Sequence, residues 1–336
     1  MPHLDAGAAA PYLARALSGC EHPPGSLDRL FGARDWITGD PFEIRACRRC
    51  GLALTAPRPD AAGMARYYPA AYYARQEGRR FPAPVEWLQR SLYQSRAGAV
   101  ERLAGRPGRV LDIGCGPGYL LRAFRERGWE VQGTELSEAS AAHAREALGI
   151  PVHVGPAEAW PWPEGHFDAV VLWHVLEHWP DPGAVIRRVG RLLRPGGILA
   201  VGVPNFGSPE AQATRAGWFH LDPPRHLIHL TERSLSGLLA EEGFSLARTS
   251  FFAPEYDWFS FVQSALNRLG LRYNLLYDLL RTRGARLLAH GAGGRLQAFA
   301  SLLLAVPLAL VGLPASLLLA LARRGSAMTA YAVRSR

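Results

Sequence analysis

Cysteine is scarce in this chain. Four occur among 336 residues, too few for a disulfide scaffold, and one of them, Cys115, sits inside a glycine-rich loop. A reducing cytosol is the natural compartment. No window joins a charged start, a short apolar core and a small-residue cleavage site, so residues 1–20 read as an ordinary alanine-rich leader or helix. Internal repeats and low-complexity tracts are also missing. The net charge is +9, but the excess is arginine scattered in local pairs such as Arg79-Arg80, Arg187-Arg188 and Arg323-Arg324. That is the pattern of a solvated surface rather than a phosphate track, so no nucleic-acid partner is expected. What the chain has in quantity is apolar surface: 48% hydrophobic residues against 20% charged support one good-sized core with a smaller appendage and argue against disorder.

The stretch VLDIGCGPGYLL, Val110–Leu121, reads as a buried strand running into a glycine turn and then a helix at Tyr119–Arg127. Gly114, Gly116 and Gly118 at alternate positions let the backbone approach a ligand, and the helix points its amide-rich N-terminus at it. Spacing separates the nucleotide families that use such turns. A phosphate-cradling loop ends in Gly-Lys-Ser/Thr, whereas this one ends in Gly118-Tyr119-Leu120. The dinucleotide fingerprint needs its third glycine one residue later. Asp112 would repel a pyrophosphate but suits a cationic ligand end. S-adenosylmethionine (SAM) carries an amino group and a sulfonium and has no phosphate. A second strand, Glu130–Glu135, ends in an acid able to accept both ribose hydroxyls, a feature shared with NAD enzymes.

Further strands are expected at Ile150–Val154, Phe167–Trp173 and Gly196–Pro204, with Arg194-Pro-Gly-Gly marking the turn before the last. Helical stretches at Ala139–Leu148 and Pro182–Leu193 alternate with them. The alternation predicts an α/β, doubly wound, Rossmann-like and mostly parallel sheet whose ligands sit at the carboxyl ends of its strands.

Taken in order, VLDIGCGPGYLL, the acid in VQGTELS, Ala157-Glu158, and LLRPGGILAVGVPN resemble the motifs of class I SAM-dependent methyltransferases over roughly residues 106–252. The resemblance implies a seven-stranded sheet and a SAM site. In it Asp112 orients the methionine amino end, Glu135 binds ribose, and Ala157 and Glu158 lie by adenine. Gly114, Cys115 and Gly116 of the loop, Leu136 after the acid, and Trp173 at the end of the fourth strand complete the implied cofactor set.

Methyl transfer from a sulfonium is an in-line displacement in which positioning supplies much of the acceleration, and an alcohol acceptor also benefits from a base. His174, Glu177 and His178 follow the fourth strand. On a helical turn they would share one face. His174 and His178 are candidate bases, each weighed against a lining or bracing role. A metal reading of the His174/His178 spacing is set aside for want of a third ligand. The later run Trp218–His229 adds His226 as a candidate base, with His220 and His229 behind it. It resembles a segment that covers the acceptor in one branch of these enzymes. The Asn-Pro-Pro-Tyr motif of many nucleobase methylators is missing.

Cys47-Arg-Arg-Cys50-Gly51 is a knuckle sequence. With Cys20 and His22 upstream, or His3 in their stead, it predicts a structural zinc ion, against the alternative of two thiols in a small β-hairpin. The surrounding segment resembles the zinc-ribbon-like leader of a branch of these methyltransferases, followed there by tyrosines like Tyr72 and Tyr73.

Residues 298–322 carry no charge, and the run is long enough to span a bilayer. Positive residues flank it on both sides, however, and Gly325–Arg334 reads as the last core strand, so the chain must return. Pro307, Gly312 and Pro314 break the run, predicting two short helices in a hairpin that dips into one leaflet. The alternative is a helical pair packed on the protein's own sheet or on a second subunit, which includes a homodimer. The aromatic-rich stretch Trp258–Leu280, followed by arginines 281, 283 and 286, reads as part of the same insertion, so that residues 253–322 form a membrane-facing or acceptor-binding unit.

The expected domains are thus a leader at 1–60, a helical lead-in at 61–106, a SAM-binding core at 107–252, a helical apolar insertion at 253–322 and a final core strand at 323–336. The expected activity is O-methylation of a lipid-linked or glycan-type acceptor at the inner face of the membrane. The near alternative is a soluble sugar-nucleotide or small-molecule methyltransferase, and behind it stand an RNA methylator and a non-catalytic SAM-binding scaffold.

Overall fold

The computed structural model describes residues 27–68, 83–282 and 291–335. Its centre is a seven-stranded sheet built from β4 (Arg109–Ile113), β5 (Glu130–Glu135), β6 (Val152–Val154), β7 (Phe167–Trp173), β8 (Leu193–Pro204), β10 (Phe244–Ser250) and β11 (Ala327–Arg334), in the spatial order β10-β11-β8-β7-β4-β5-β6. Strands β8, β7, β4, β5 and β6 are parallel, and β11 inserts antiparallel between β8 and β10. The central strands are short apolar runs because both of their faces are covered: Val110, Leu111, Phe167, Ala169, Val170 and Leu199 are fully buried.

The helices that cover the sheet begin where the sequence supplies caps. Asp181 accepts from Ala184 N ahead of α5 (Pro182–Leu192), and Ser208 accepts from Ala211 N ahead of α6 (Pro209–Thr214). Thr231 and Ser234 form a reciprocal capping box on α7 (Glu232–Glu241). The expected helix Ala139–Leu148 is shorter than its pattern suggested. It runs as α4 (Glu138–Ala142) and loosens into a π turn over His143–Ala147. The loosened turn lets Gly118 pack against Ala144, whose Cβ would lie 2.9 Å from any side chain added to that glycine.

The N-terminal strands β1 (Asp28–Arg34), β2 (Pro41–Ala46) and β3 (Ala53–Ala56) form an antiparallel sheet completed by β9 (Ile228–His229), which comes from the far side of the core sequence. A boundary at residue 60 therefore cuts through a unit that residues 228–229 complete. A short helical turn, α1 (Ala61–Met64), ends this unit. A 22-residue helix, α2 (Ala83–Ala104), then leads into β4.

Between β10 and β11 lie α8 (Pro254–Arg268), α9 (Leu275–Thr282) and α10 (Gly291–Leu321). The helical hairpin expected from Pro307, Gly312 and Pro314 is corrected here: α10 is one continuous 31-residue helix with both prolines inside it. Each proline removes one amide, but packing on α8 supports the helix on either side. Leu304, Ala305, Leu308 and Ala309 meet Val262 and Leu266, and Trp258 Nε1 donates to Ala309 O at 3.0 Å. Gly312 admits the Phe261 ring, which a Cβ would meet at 2.6 Å. In the aromatic stretch of α8 and α9, Phe259 and Tyr277 face a cavity, the placement that the acceptor-binding alternative expects. Arg283 and Arg286 lie outside the described residues, as does the side chain of Arg281.

Candidate active site

Asp112 is the fourth residue of the central strand, paired in register with Gly133 of β5 and Val171 of β7. It is 3% exposed. Burial, and then the nearby Glu135 carboxylate, push its pKa well above the ordinary 3.8. Two acids close together in an apolar setting favour a cationic ligand.

The loop beyond β4 turns on Gly114, Gly116 and Gly118, with φ of +69°, +51° and +81°. A Cβ on Gly114 would stand 2.6 Å from Val175 Cγ2, so the loop is held close under the segment that carries the histidines. Helix α3 (Tyr119–Glu126) starts at Gly118. Glu135, at the end of β5, accepts from Gly116 N at 3.0 Å and from Leu136 N at 2.8 Å, which ties the glycine loop to the second strand. The buried carboxylate, the glycine turn and the strand-end acid suit the amino acid and ribose ends of SAM.

Among the other expected cofactor residues, Ala157 and Cys115 are buried while Leu136 is exposed. The Cys115 thiol is pushed up by burial and then by Asp112, which makes it a packing group rather than a nucleophile. Trp173 closes β7, with its ring against Gly202 of β8. The side chain of Glu158 lies outside the described residues, as do Cys20, His22, His3, Tyr72 and Tyr73. Of the expected zinc ligands, Cys47 and Cys50 are described. Both are buried, on a tight turn in which Gly51 N donates to Cys47 O and Cys47 N to Leu52 O, each at 2.9 Å.

A cavity of about 710 Å³ opens beside the segment that follows β7. Tyr93, on its wall, has its ring 6.2 Å from that of Tyr119, the first residue of the helix after the glycine loop. His174, His178, His220 and His226 line it together with Trp36, Tyr93, Arg96, Tyr256 and Tyr277. The helical turn expected to align His174 with Glu177 and His178 is not what forms. His174 has φ +54° and donates its backbone N–H to Gly202 O, and the helical turn begins only at Leu176. The left-handed kink still brings His174 Nδ1 to 3.3 Å from Glu177 Oε1.

His178 and His226 are oriented from behind. Nδ1 of His178 donates to Arg225 O at 2.9 Å, and Nδ1 of His226 donates to His220 O at 2.7 Å. A carbonyl only accepts, so each ring carries its proton on Nδ1 and its lone pair on Nε2. Their ring centroids are 4.7 Å apart. Burial, followed by Arg96, holds His174 down at about 3. Burial, followed by His226, holds His178 down at about 4, and burial also lowers His226. All three are neutral imidazoles near pH 7. His229 stands apart at the N-terminal sheet, where Nε2 meets Thr55 Oγ1 at 3.0 Å.

Sequence reasoning did not find Arg96, Trp36, Asp222 or Tyr256. The Arg96 guanidinium lies 4.1 Å from the Trp173 ring centroid and within 5.6 Å of those of Tyr93 and Tyr256, and it pairs with Glu255. Trp36 donates from Nε1 to Asp222 Oδ1 at 3.0 Å and meets Tyr277 edge-on. These residues come from four distant segments, and no local pattern marks them.

The model of a methyltransferase domain family matches residues 86–249. The ubiquinone biosynthesis O-methyltransferase of Pseudomonas aeruginosa is 41% identical over 130 residues, covering 37% of this chain and 51% of that protein. The corresponding protein of Bordetella avium is 36% identical over 126 residues, covering 34% and 46%. An uncharacterized 37.1 kDa protein of a Streptomyces fradiae transposon is 29% identical over 224 residues, covering 60% and 64%. The chain spans about half the length of the O-methyltransferases it matches. Among solved structures, a SAM-dependent methyltransferase from Archaeoglobus fulgidus aligns with a TM-score of 0.42 at 24% identity, over 49% of this chain and 73% of that one. With Asp112, the glycine loop and Glu135 placed around a doubly wound sheet, residues 86–249 are a methyltransferase domain of the class I S-adenosylmethionine-dependent kind.

Proposed function

We propose that the protein O-methylates a lipid-linked acceptor at the inner face of the membrane. The observation that carries the reading is the way one helical insertion serves two faces. Tyr256 and Phe259 of α8 and Tyr277 and Leu280 of α9 line the cavity, while α10, packed on α8, turns its apolar side outward. Phe299, Leu303, Val306 and Leu310 are each more than 60% exposed. An apolar patch of this size on a water-soluble surface is costly, and the arginines at 295, 323 and 324 suit anionic headgroups. An acceptor with a hydroxyl at the histidines and an apolar part toward the insertion fits both faces.

SAM, when bound, supplies an electrophilic methyl group on its sulfonium. Asp112 would hold its amino end and Glu135 its ribose, with Ala157 and Trp173 bordering the site. The base is His174, which lines the cavity with its Nδ1 3.3 Å from Glu177 Oε1, a proximity without a hydrogen bond. It would take the proton of the acceptor hydroxyl, whose oxygen would then receive the methyl group that the sulfonium supplies. His178 and His226 complete the wall against which the acceptor is positioned. The knuckle turn at Cys47 and Cys50 has the donor chemistry of half a structural zinc site, and we infer such a site with Cys20 and His22.

The second reading, a soluble sugar-nucleotide or small-molecule acceptor, is favoured by the polar residues Asn274, Asp222 and Gln89 in the same cavity. Incubating the protein with methyl-labelled SAM and a lysate of its host, then partitioning the label, separates the two. Organic-phase label is expected, and label confined to small aqueous metabolites overturns the membrane reading.

A further inference from the structure

We propose that Glu177, His178 and His226 form a binding site for a divalent first-row transition-metal ion on the wall of the acceptor cavity. One ligand atom from each lies within 4.8 Å of the other two. Two imidazole nitrogens and a carboxylate oxygen are a donor set that zinc, iron, cobalt and nickel take readily, with positions left over for water or substrate.

Proximity alone would be weak support, but three further observations point the same way. First, Glu177 is 2% exposed, and neither of its carboxylate oxygens has a hydrogen-bond partner among the described residues. A buried carboxylate left without donors is expensive, and such groups are ordinarily paired or metal-bound. Second, both imidazoles donate Nδ1–H to backbone carbonyls, Arg225 O and His220 O. Such outer hydrogen bonds commonly fix the tautomer of a metal-ligating histidine and leave Nε2 as the donor atom. Third, His226 Nε2 stands 3.9 Å from Glu177 Oε1. A lone pair then faces an electron-rich oxygen at a separation too long for a hydrogen bond, and a cation between them resolves the repulsion.

The ligands come from two places in the chain. Glu177 and His178 follow β7, whereas His226 lies in the segment that returns to pair with the N-terminal sheet. Leu227 N donates to Glu177 O at 2.9 Å and fixes the two segments together. A metal ion at this point would withdraw electron density from a hydroxyl brought beside it and make its proton easier to remove. That last consequence rests on the O-methylation reading, whereas the site itself does not.

The test uses the full-length protein, stripped with a chelator and titrated with cobalt(II) by calorimetry and visible absorption, beside Glu177→Gln and His226→Asn. The wild type is expected to take one more equivalent of cobalt than either variant, with that equivalent weakened by roughly 100-fold or more in both. Cobalt held at Cys47 and Cys50 is common to all three proteins and cancels. Circular dichroism and SAM affinity check the fold, and if Glu177→Gln fails to fold, His226→Asn carries the comparison. Equal cobalt stoichiometry and affinity in the wild type and a folded variant overturns the site. Methyl transfer is scored separately. Variant-dependent cobalt binding without transfer to any acceptor leaves the site standing and removes the methylation reading. Full transfer by the stripped protein, with no variant-dependent cobalt, does the reverse.

Discussion

Arg225 is fully buried and holds the equally buried Asp35 at 2.6 Å, so that the core segment bearing His226 and the N-terminal sheet share one ion pair. The same guanidinium binds Asp222 through Nε and NH2 and donates to Tyr67 O at 3.0 Å. The N-terminal strands are thereby part of the cavity's wall. Replacing Arg225 with Met leaves two acids without their cation and is expected to cost about 3–5 kcal/mol by chemical denaturation. Adding Asp35→Asn should recover part of that loss, and purely additive losses would show that the pair does not couple the two units.

The Asp222 end of this network carries a pH signature. Burial alone would raise Asp222, but the Arg225 charge prevails and brings it from 3.8 to about 2. Because the folded value lies below the unfolded one, the stabilisation is fully present above about pH 4 and is lost as the pH falls through about 2. Unfolding midpoints measured from pH 5 to pH 2 should therefore fall more steeply in the wild type than in Asp222→Asn.

Asp112 is raised in the protein by burial and by Glu135, so binding a cation beside it should ionise it. SAM binding is expected to release protons, and affinity should climb with pH until Asp112 ionises unaided. Calorimetry in buffers of different ionisation enthalpy reads the release directly. Asp112→Asn should weaken SAM binding by about 2 kcal/mol, or roughly 30-fold. Proton uptake, or affinity that ignores pH, contradicts the assignment.

His174→Gln is expected to lower kcat by about 100-fold to 10,000-fold while leaving SAM affinity unchanged. A rise in KM alone would make His174 a lining residue. Measuring SAM binding and turnover on the same preparation separates the two.

The outward face of α10 should bind anionic vesicles. Leu303, Val306 and Leu310 are 63%, 64% and 73% exposed, so Leu303→Glu, Val306→Glu and Leu310→Glu together should spare folding. Three apolar side chains withdrawn from lipid represent several kcal/mol, enough for a loss of about 100-fold or more in vesicle partitioning. Unchanged flotation of the triple variant removes the membrane role of this face.

Read residue by residue, the sequence determined the parts of this protein that local physics controls. The apolar runs before Gly114 and up to Trp173 and the short segment ending in Glu135 placed β4, β7 and β5 within a residue of where they lie, and glycines at alternate positions marked the loop beside Asp112. These signals are legible because strand burial and positive φ impose themselves on consecutive residues. The tertiary structure decided what depends on neighbours distant in sequence. It showed that α10 stays whole through Pro307 and Pro314 because α8 packs along it, and that His174 meets Glu177 through a left-handed kink rather than along a helix. It also showed that Ile228–His229 completes the N-terminal sheet, and that Arg96, Trp36, Asp222 and Tyr256 converge on one cavity. Each of these outcomes depends on partners distant in sequence, the kink at His174 through its bond to Gly202 O and the others through pairs tens to nearly two hundred residues apart, and no periodicity or spacing within either half encodes it.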